Sequence, residues 1–365
     1  MEKLLHSVYP TKRVFFFHLL ILLFSFFFYS HSLSYSFISD DFFYISFSSF
    51  REVLSFQKGF YHYNPVFWTS MFVLKQFFGV NPLPFHFFAI LTHLVNILLV
   101  YHLARSLTFG VKQSLVASFL FSFFFSHYEV VYWITGINTS LMVFFTLLGL
   151  MSFITFSRTR EIRWYTLFLL FFILAFLTHE YAISLLPVSF IYFLLFPHHH
   201  SIKNSIYWFL FPALFVLVIS LAKFFLAHTS LVVLFPGTFR MIISFMKSFL
   251  YLFSGNPYLI DTLPKLTLLP LFLLLGIVIL STGMYAKRRI FLLVWLSVTV
   301  LAFSLTSLPQ ARYFYLSSIP AIFLLIDLFF SSRRIFFLLS FFILISGITF
   351  LAEQQIYWRK SSQIT

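Results

Sequence analysis

The chain has 365 residues, is 61% hydrophobic and only 9% charged, and has a mean hydropathy of +0.96. A soluble protein of this length exposes far more charge, so lipid must solvate most of the surface. Cysteine is absent, which excludes disulfides, thiolate metal sites and a cysteine nucleophile; the net charge of +14 is scattered between apolar runs rather than gathered into a basic domain, so it reports membrane topology and argues against nucleic acid.

The first apolar run follows Lys3, Lys12 and Arg13. It is about 20 residues long, the length of a span, and no small-residue cleavage pattern follows it, so a retained span is expected rather than a signal peptide. Further apolar runs follow along the chain. With the first they lie near 14–33, 86–104, 114–126, 139–157, 164–178, 181–196, 205–227, 266–284, 290–306, 316–332 and 335–352. They predict an all-α integral membrane protein of about 11 transmembrane helices. A cytoplasmic N-terminus puts Arg105 and Lys112, then Arg158, Arg160 and Arg163, then Lys203, then Lys287, Arg288 and Arg289, then Arg333 and Arg334 in inner loops. Each of those loops is short and basic, as the positive-inside rule requires. Residues 1–365 are expected to form a single polytopic membrane domain, with no separate soluble domain, in the cell (inner) membrane.

Two outer segments are long, about 34–85 and 228–265. Both are too apolar for free loops and too interrupted for spans, which predicts short helices lying in the interface. Only ten carboxylates are present. Asp40, Asp41, Glu52, Glu129, Glu180, Asp261 and Glu353 map to the outer side, Glu2 and Glu161 map inside, and Asp327 lies in a span near its inner end. Acidic residues contribute little to topology, so this asymmetry points to a site on the outer face.

Each outer polar group has two readings. Asp40 and Asp41 are adjacent in Ser39-Asp40-Asp41-Phe42, where one acidic residue suffices to cap a helix and the second suggests chemistry. His127-Tyr128-Glu129 is an aromatic-belt segment or a source of two metal ligands. Thr178-His179-Glu180 marks the water line or lines a cavity between helices. Arg312, in Gln310-Ala311-Arg312-Tyr313-Phe314-Tyr315, runs against the positive-inside trend; it snorkels to headgroups or clamps an anionic phosphate. His86, His93 and Asn96 fall on one stripe of the second span, a spacing that favours interhelical hydrogen bonds over ligation. His198-His199-His200 belongs to an inner loop and reads as solvated.

Taken together these fragments resemble the GT-C superfamily of polytopic glycosyltransferases, and in particular its protein O-mannosyltransferase-like branch. Asp40-Asp41 is similar to that family's acidic pair in the first outer loop. Tyr63-Asn64-Pro65, Phe78-Gly79-Val80-Asn81-Pro82, His86, His93 and Asn96 resemble its Y-x-P…FG-x-NP…H…H-x-x-N run. His127-Tyr128-Glu129 with Trp133, Thr135 and Gly136 resembles H-x-E-x-x-x-W-[IV]-[ST]-G, Thr178-His179-Glu180 resembles an S-K-E turn, and Arg312-Tyr313 with Tyr315-Leu316 resembles R-Y-x-Y-L. His179 stands where the family has Lys, which makes a phosphate contact there weaker or pH-dependent.

The resemblance implies inverting transfer of a sugar from a polyprenyl-phosphate-linked donor at the extracytoplasmic face. Asp40 or Asp41 would deprotonate the acceptor hydroxyl, Arg312, Tyr313 and His179 would contact the donor phosphate, and His127, Glu129 and Glu180 are candidate ligands for a divalent metal ion. Lipid, glycan and protein acceptors all stay open, and nothing resembles a repeat or large soluble domain that would single out proteins. A lipid-sugar flippase or transporter is the chief rival and would favour ionisable residues at mid-membrane; a glycan polymerase at the same face is the other.

Overall fold

A computed structural model describes residues 12–55, 63–196, 207–227, 238–254, 286–304, 310–330 and 333–364. The expected span at 266–284, Asp261, Lys203, the 198–200 histidines and both ends of the second outer segment lie outside these residues. The described residues are helical, with no strand among them. Among the described residues four helical segments are long and apolar enough to cross a membrane: Lys12–Ser34, Pro82–Ser106, Ile134–Thr159 and Ala311–Leu328. Shorter apolar helices lie alongside them.

In chain order the helices are α1 (Lys12–Tyr29), α2 (Asp41–Ser46), α3 (Phe50–Leu54), α4 (Pro65–Phe78), α5 (Pro82–Ser106), α6 (Val111–Ser122), α7 (Tyr128–Tyr132) and α8 (Ile137–Thr159). They continue as α9 (Ile162–Thr178), α10 (Leu185–Leu195), α11 (Tyr207–Ala227), α12 (Thr238–Ser254), α13 (Ala286–Ser304), α14 (Phe314–Phe329) and α15 (Arg333–Ile364). Local signals set several boundaries. Gly79 ends α4 at φ +64°, and the Asn81 side chain then accepts from Leu83 N–H at 3.1 Å to cap α5, with Pro82 in its first turn.

The run expected as a span at 114–126 is instead bent. Helix α6 stops at Ser122, and the segment Phe125–Tyr132 leaves at 48° to it. A break inside an apolar bundle strands a carbonyl, and here the Ser122 carbonyl is taken by the Tyr29 hydroxyl at 3.1 Å and faced by His93 Nε2 at 3.3 Å.

The bundle core runs through α5, α6, α8, α9, α10, α13 and α14, with Phe121, Phe153, Phe168, Phe172, Trp295 and Phe323 all buried. Polar groups within it pair across helices. His93 Nδ1 meets the Tyr315 hydroxyl at 2.8 Å, and Asn96 donates to Ser140 O at 2.8 Å and to Tyr315 at 3.2 Å. These are the interhelical hydrogen bonds expected of His93 and Asn96.

The described part of the segment 34–85 is a folded cap with short helices, as its composition suggested. Phe37, Tyr44 and Phe47 pack with Phe67, Trp68 and Met71 of α4 against Phe85 of α5 and Ile134 and Ile137 near the start of α8. Lys75 donates to Phe47 O at 2.8 Å and ties α4 to the α2 exit. The basic loops collect at the opposite end. Arg158 donates to Ser106 O, Arg105 donates to Phe109 O at 2.7 Å, and the Arg288 guanidinium lies over Phe109. Asp327, near the end of α14, is held there by Arg288 and by Arg289 Nε at 2.6 Å. It therefore belongs to an ion-pair cluster at the end of the bundle that carries the basic loops, whereas the transporter reading favours ionisable residues at mid-membrane.

Candidate active site

The acidic pair sits where the irregular segment 35–38 leads into α2. Ser39 takes φ +50°, a left-handed conformation for a residue with a side chain, and this turns the chain so that the two carboxylates diverge. Asp40 occupies the N-cap position, but its side chain makes no capping hydrogen bond; it is exposed and receives only the Ser39 hydroxyl, at 3.3 Å. The capping reading of the pair is therefore not how Asp40 is used.

Asp41 is the reverse, with 1% of its surface exposed. One carboxylate oxygen accepts from Ile38 N–H at 3.0 Å, and the other accepts both the N–H and the hydroxyl of Thr135, at 2.9 and 2.7 Å. Burial pushes its pKa up to about 6; the hydrogen bonds from Ile38 and Thr135 pull it back, and the neighbouring Asp40 charge adds to the rise.

Thr135 reaches Asp41 because the 3₁₀ turn Ile134–Gly136 folds back on α7. Gly136 makes that possible: a Cβ there would lie 2.1 Å from the Glu129 carbonyl oxygen and 2.8 Å from Val130 Cα. Glu129, on α7, accepts the Arg312 backbone N–H at 2.9 Å, so the turn that holds Asp41 also holds the loop entering α14. The Arg312 guanidinium lies over the Trp133 ring at 4.7 Å and near the Tyr313 ring at 5.3 Å. Tyr313 meets Tyr181 edge-on at 4.7 Å, and Tyr181 stacks on His179 at 4.6 Å. His179 caps its turn by accepting from Tyr181 N–H, with Glu180 3.8 Å from its Nδ1.

The Tyr44 phenol, buried on α2, lies within reach of the charges of both halves. Burial raises its pKa, and the charges of Asp40, Arg312, Asp41 and Glu180 all act on it. Six expected residues, Asp40, Asp41, Arg312, Tyr313, His179 and Glu180, thus gather at one end of the bundle with Glu129 beneath them. Tyr44, Tyr181 and the bridging role of Thr135 were not singled out by the sequence reading. Thr135 stood inside the H-x-E-x-x-x-W-[IV]-[ST]-G stretch, and Tyr44 stood three residues after Asp41, but neither pattern names a partner.

The metal-ligand set is not assembled. His127 and Glu129 are two residues apart across the start of α7, so their side chains diverge. The His127 ring lies among Phe121, His93 and Tyr315, with its Nε2 3.5 Å from the Ser318 hydroxyl, while Glu129 faces Arg312. Among the described residues no three His, Asp or Glu side chains are placed to hold a metal ion. His127, Glu129 and Glu180 do not fit one, and no chemical step is routed through a metal below.

Carboxylates, a cation and aromatic rings thus cluster at one end of a helical bundle whose longest helices are apolar enough to cross a membrane. Residues 65–224 match the family model for dolichyl-phosphate-mannose-protein mannosyltransferase, a family of the GT-C superfamily. The GT-C resemblance read from the motifs is borne out over that stretch, which holds α4 to α10, His179 and Glu180. No curated protein and no solved structure matches the chain. Asp40, Asp41 and Arg312 lie outside the matched stretch, and their connection to it runs through Thr135 and Glu129 inside it.

Proposed function

We propose that this protein transfers a sugar from a polyprenyl-phosphate donor to an acceptor hydroxyl at the extracytoplasmic face of the cell membrane, with inversion at the anomeric carbon. The observation that supports the reading is that one turn, Glu129 to Gly136, both donates to the Asp41 carboxylate from Thr135 and accepts the backbone N–H of Arg312 at Glu129, so an acidic pair and a cation are tied to the same element.

Asp40 is the base. It is exposed, its oxygens are nearly uncommitted, and it can accept the proton as the acceptor oxygen attacks the anomeric carbon. Asp41 already accepts from three donors and instead holds the turn that carries Asp40. The bond between the anomeric carbon and the phosphate oxygen breaks as the new bond forms, and its electron pair leaves on the lipid phosphate. Arg312 neutralises the charge gathering there, with Trp133 orienting its guanidinium. Tyr313 and His179 flank the phosphate. The donor's isoprenoid chain stays in lipid while its headgroup meets the cluster.

The test is incubation of the purified protein with a polyprenyl-phosphate sugar. Release of polyprenyl phosphate, and a product of inverted anomeric configuration, are expected. Transfer of labelled lipid across vesicles with no cleavage would sink the reading in favour of a flippase.

A further inference from the structure

His93, Asn96 and His127 take no part in the chemistry above, yet all three converge on one side chain, Tyr315. That tyrosine is fully buried and lies three residues after Arg312, within one helical turn of it. Its ring meets His127 at 4.4 Å, Phe121 at 5.1 Å and His93 at 5.7 Å. Its hydroxyl meets His93 Nδ1 at 2.8 Å and Asn96 Nδ2 at 3.2 Å.

The chemistry of the partners assigns the protons in this group. The Ser122 carbonyl can only accept, so His93 Nε2 carries a proton and donates to it at 3.3 Å. The rings around His93 are Tyr29, Phe121, His127 and Tyr315, with no carboxylate among them. An unpaired charge buried there would be costly, so the ring is neutral and Nδ1 accepts. The Tyr315 hydroxyl therefore donates to Nδ1 and accepts from Asn96, which also donates to the Ser140 carbonyl at 2.8 Å. The acceptor that starts this chain, Ser122 O, is one that the break after α6 sets free.

The broken span grips the start of α14 twice. His127, at the end of the turn Phe125–His127, packs on Tyr315, and Glu129 accepts the Arg312 backbone N–H at 2.9 Å. Side chains two residues apart diverge, and each of these meets one end of the same short stretch of chain. Tyr315 is thus held by one arrangement of protons and by rings packed about it, which fixes the backbone that bears Arg312.

We infer that His93, Asn96 and His127 act through Tyr315 as positioning residues for Arg312, and, resting on the glycosyl-transfer reading above, that they aim its guanidinium at the donor phosphate. The break in the second half of the α6 span is then part of the site, because it supplies both the carbonyl that orients His93 and the two side chains that hold α14.

The test is steady-state kinetics on the full chain with a polyprenyl-phosphate sugar, beside calorimetric binding of polyprenyl phosphate alone. Tyr315→Phe keeps the ring and removes only the hydroxyl. Donor KM should rise and polyprenyl phosphate affinity should fall, each about tenfold, with acceptor KM within about twofold of wild type; a full 1 Å misplacement costs roughly a hundredfold. In an Arg312→Ala background the same substitution should have no further effect on the donor, since residues that act through one another are not additive. Asn96→Ala leaves the His93 bond in place and should shift donor KM the same way by less, which keeps the inference testable where Tyr315→Phe does not fold. Phe168→Leu, buried on α9, should lower the thermal transition and move neither KM, separating lost stability from lost positioning. Wild-type donor KM and polyprenyl phosphate affinity in Tyr315→Phe and Asn96→Ala would overturn the inference, as would equal rises in both KM values or additive loss with Arg312→Ala. Polyprenyl phosphate binding reads the inference without turnover. Wild-type protein that binds it in a Tyr315-dependent way but cleaves no donor would refute the transfer reading and leave the positioning role standing; wild-type protein that does not bind it would overturn both.

Discussion

Thr135→Val tests how the site holds its buried carboxylate. Valine is close to threonine in shape and keeps the backbone N–H that donates to Asp41, so the change removes only the 2.7 Å hydroxyl bond. A hydrogen bond to a charged group is worth about 1.5–3 kcal/mol, and one pKa unit is about 1.4 kcal/mol, so the Asp41 pKa should rise from about 6 by one to two units. The sign follows from linkage. The folded pKa lies above the ordinary value of 3.8, so the folded state holds the proton more tightly than the unfolded one. The stabilisation from Asp41 is fully present below 3.8 and is lost as pH rises through about 6. In Thr135→Val the loss should extend to higher pH, and at pH 8 the variant should be the less stable by roughly the value of that bond. The assay is the thermal transition of the detergent-solubilised protein at intervals from pH 4 to pH 8. A variant curve parallel to wild type over the whole range would refute the assignment of Asp41 as a buried carboxylate held by Thr135.

Three other perturbations separate scaffold from chemistry. Gly136→Ala forces a Cβ against the Glu129 carbonyl, so the thermal transition should fall by the equivalent of about 1–3 kcal/mol and transfer should fall with it; an unaltered transition would contradict the close approach. Arg312→Lys keeps the charge but loses the planar stack on Trp133, and should raise KM for the donor several-fold with little change in KM for the acceptor, as steady-state kinetics would show. Asp327→Asn leaves Arg288 and Arg289 against a neutral side chain and should destabilise the bundle by about 3–5 kcal/mol in thermal or denaturant unfolding.

The sorting of charge was legible because it follows from local rules. Short basic loops and scarce carboxylates placed Arg105, Arg158 and Arg288 at one end and Asp41, Glu129 and Arg312 at the other, before any contact was known. The stripe of His93 and Asn96 also predicted hydrogen bonds between helices, but their partner Tyr315 lies 222 and 219 residues away, and only packing can name it. The division of labour in the acidic pair was hidden for a related reason. Nothing in Ser39-Asp40-Asp41 shows that Thr135 reaches across to one carboxylate and leaves the other exposed. The metal set failed on geometry that two-residue spacing already contains, since His127 and Glu129 leave the chain on different sides. The bend after Ser122 was masked because Phe119–Phe125 is apolar apart from Ser122 itself, and a single serine in such a run is no signal of a broken helix.

The claim at the centre of this account is that Asp40 takes the acceptor's proton while Asp41 holds the turn. It is tested most directly by measuring polyprenyl phosphate release from a polyprenyl-phosphate sugar by Asp40→Asn. The exposed side chain makes one weak contact, so the thermal transition should match wild type while release drops to background. Release at the wild-type rate by Asp40→Asn would contradict the account.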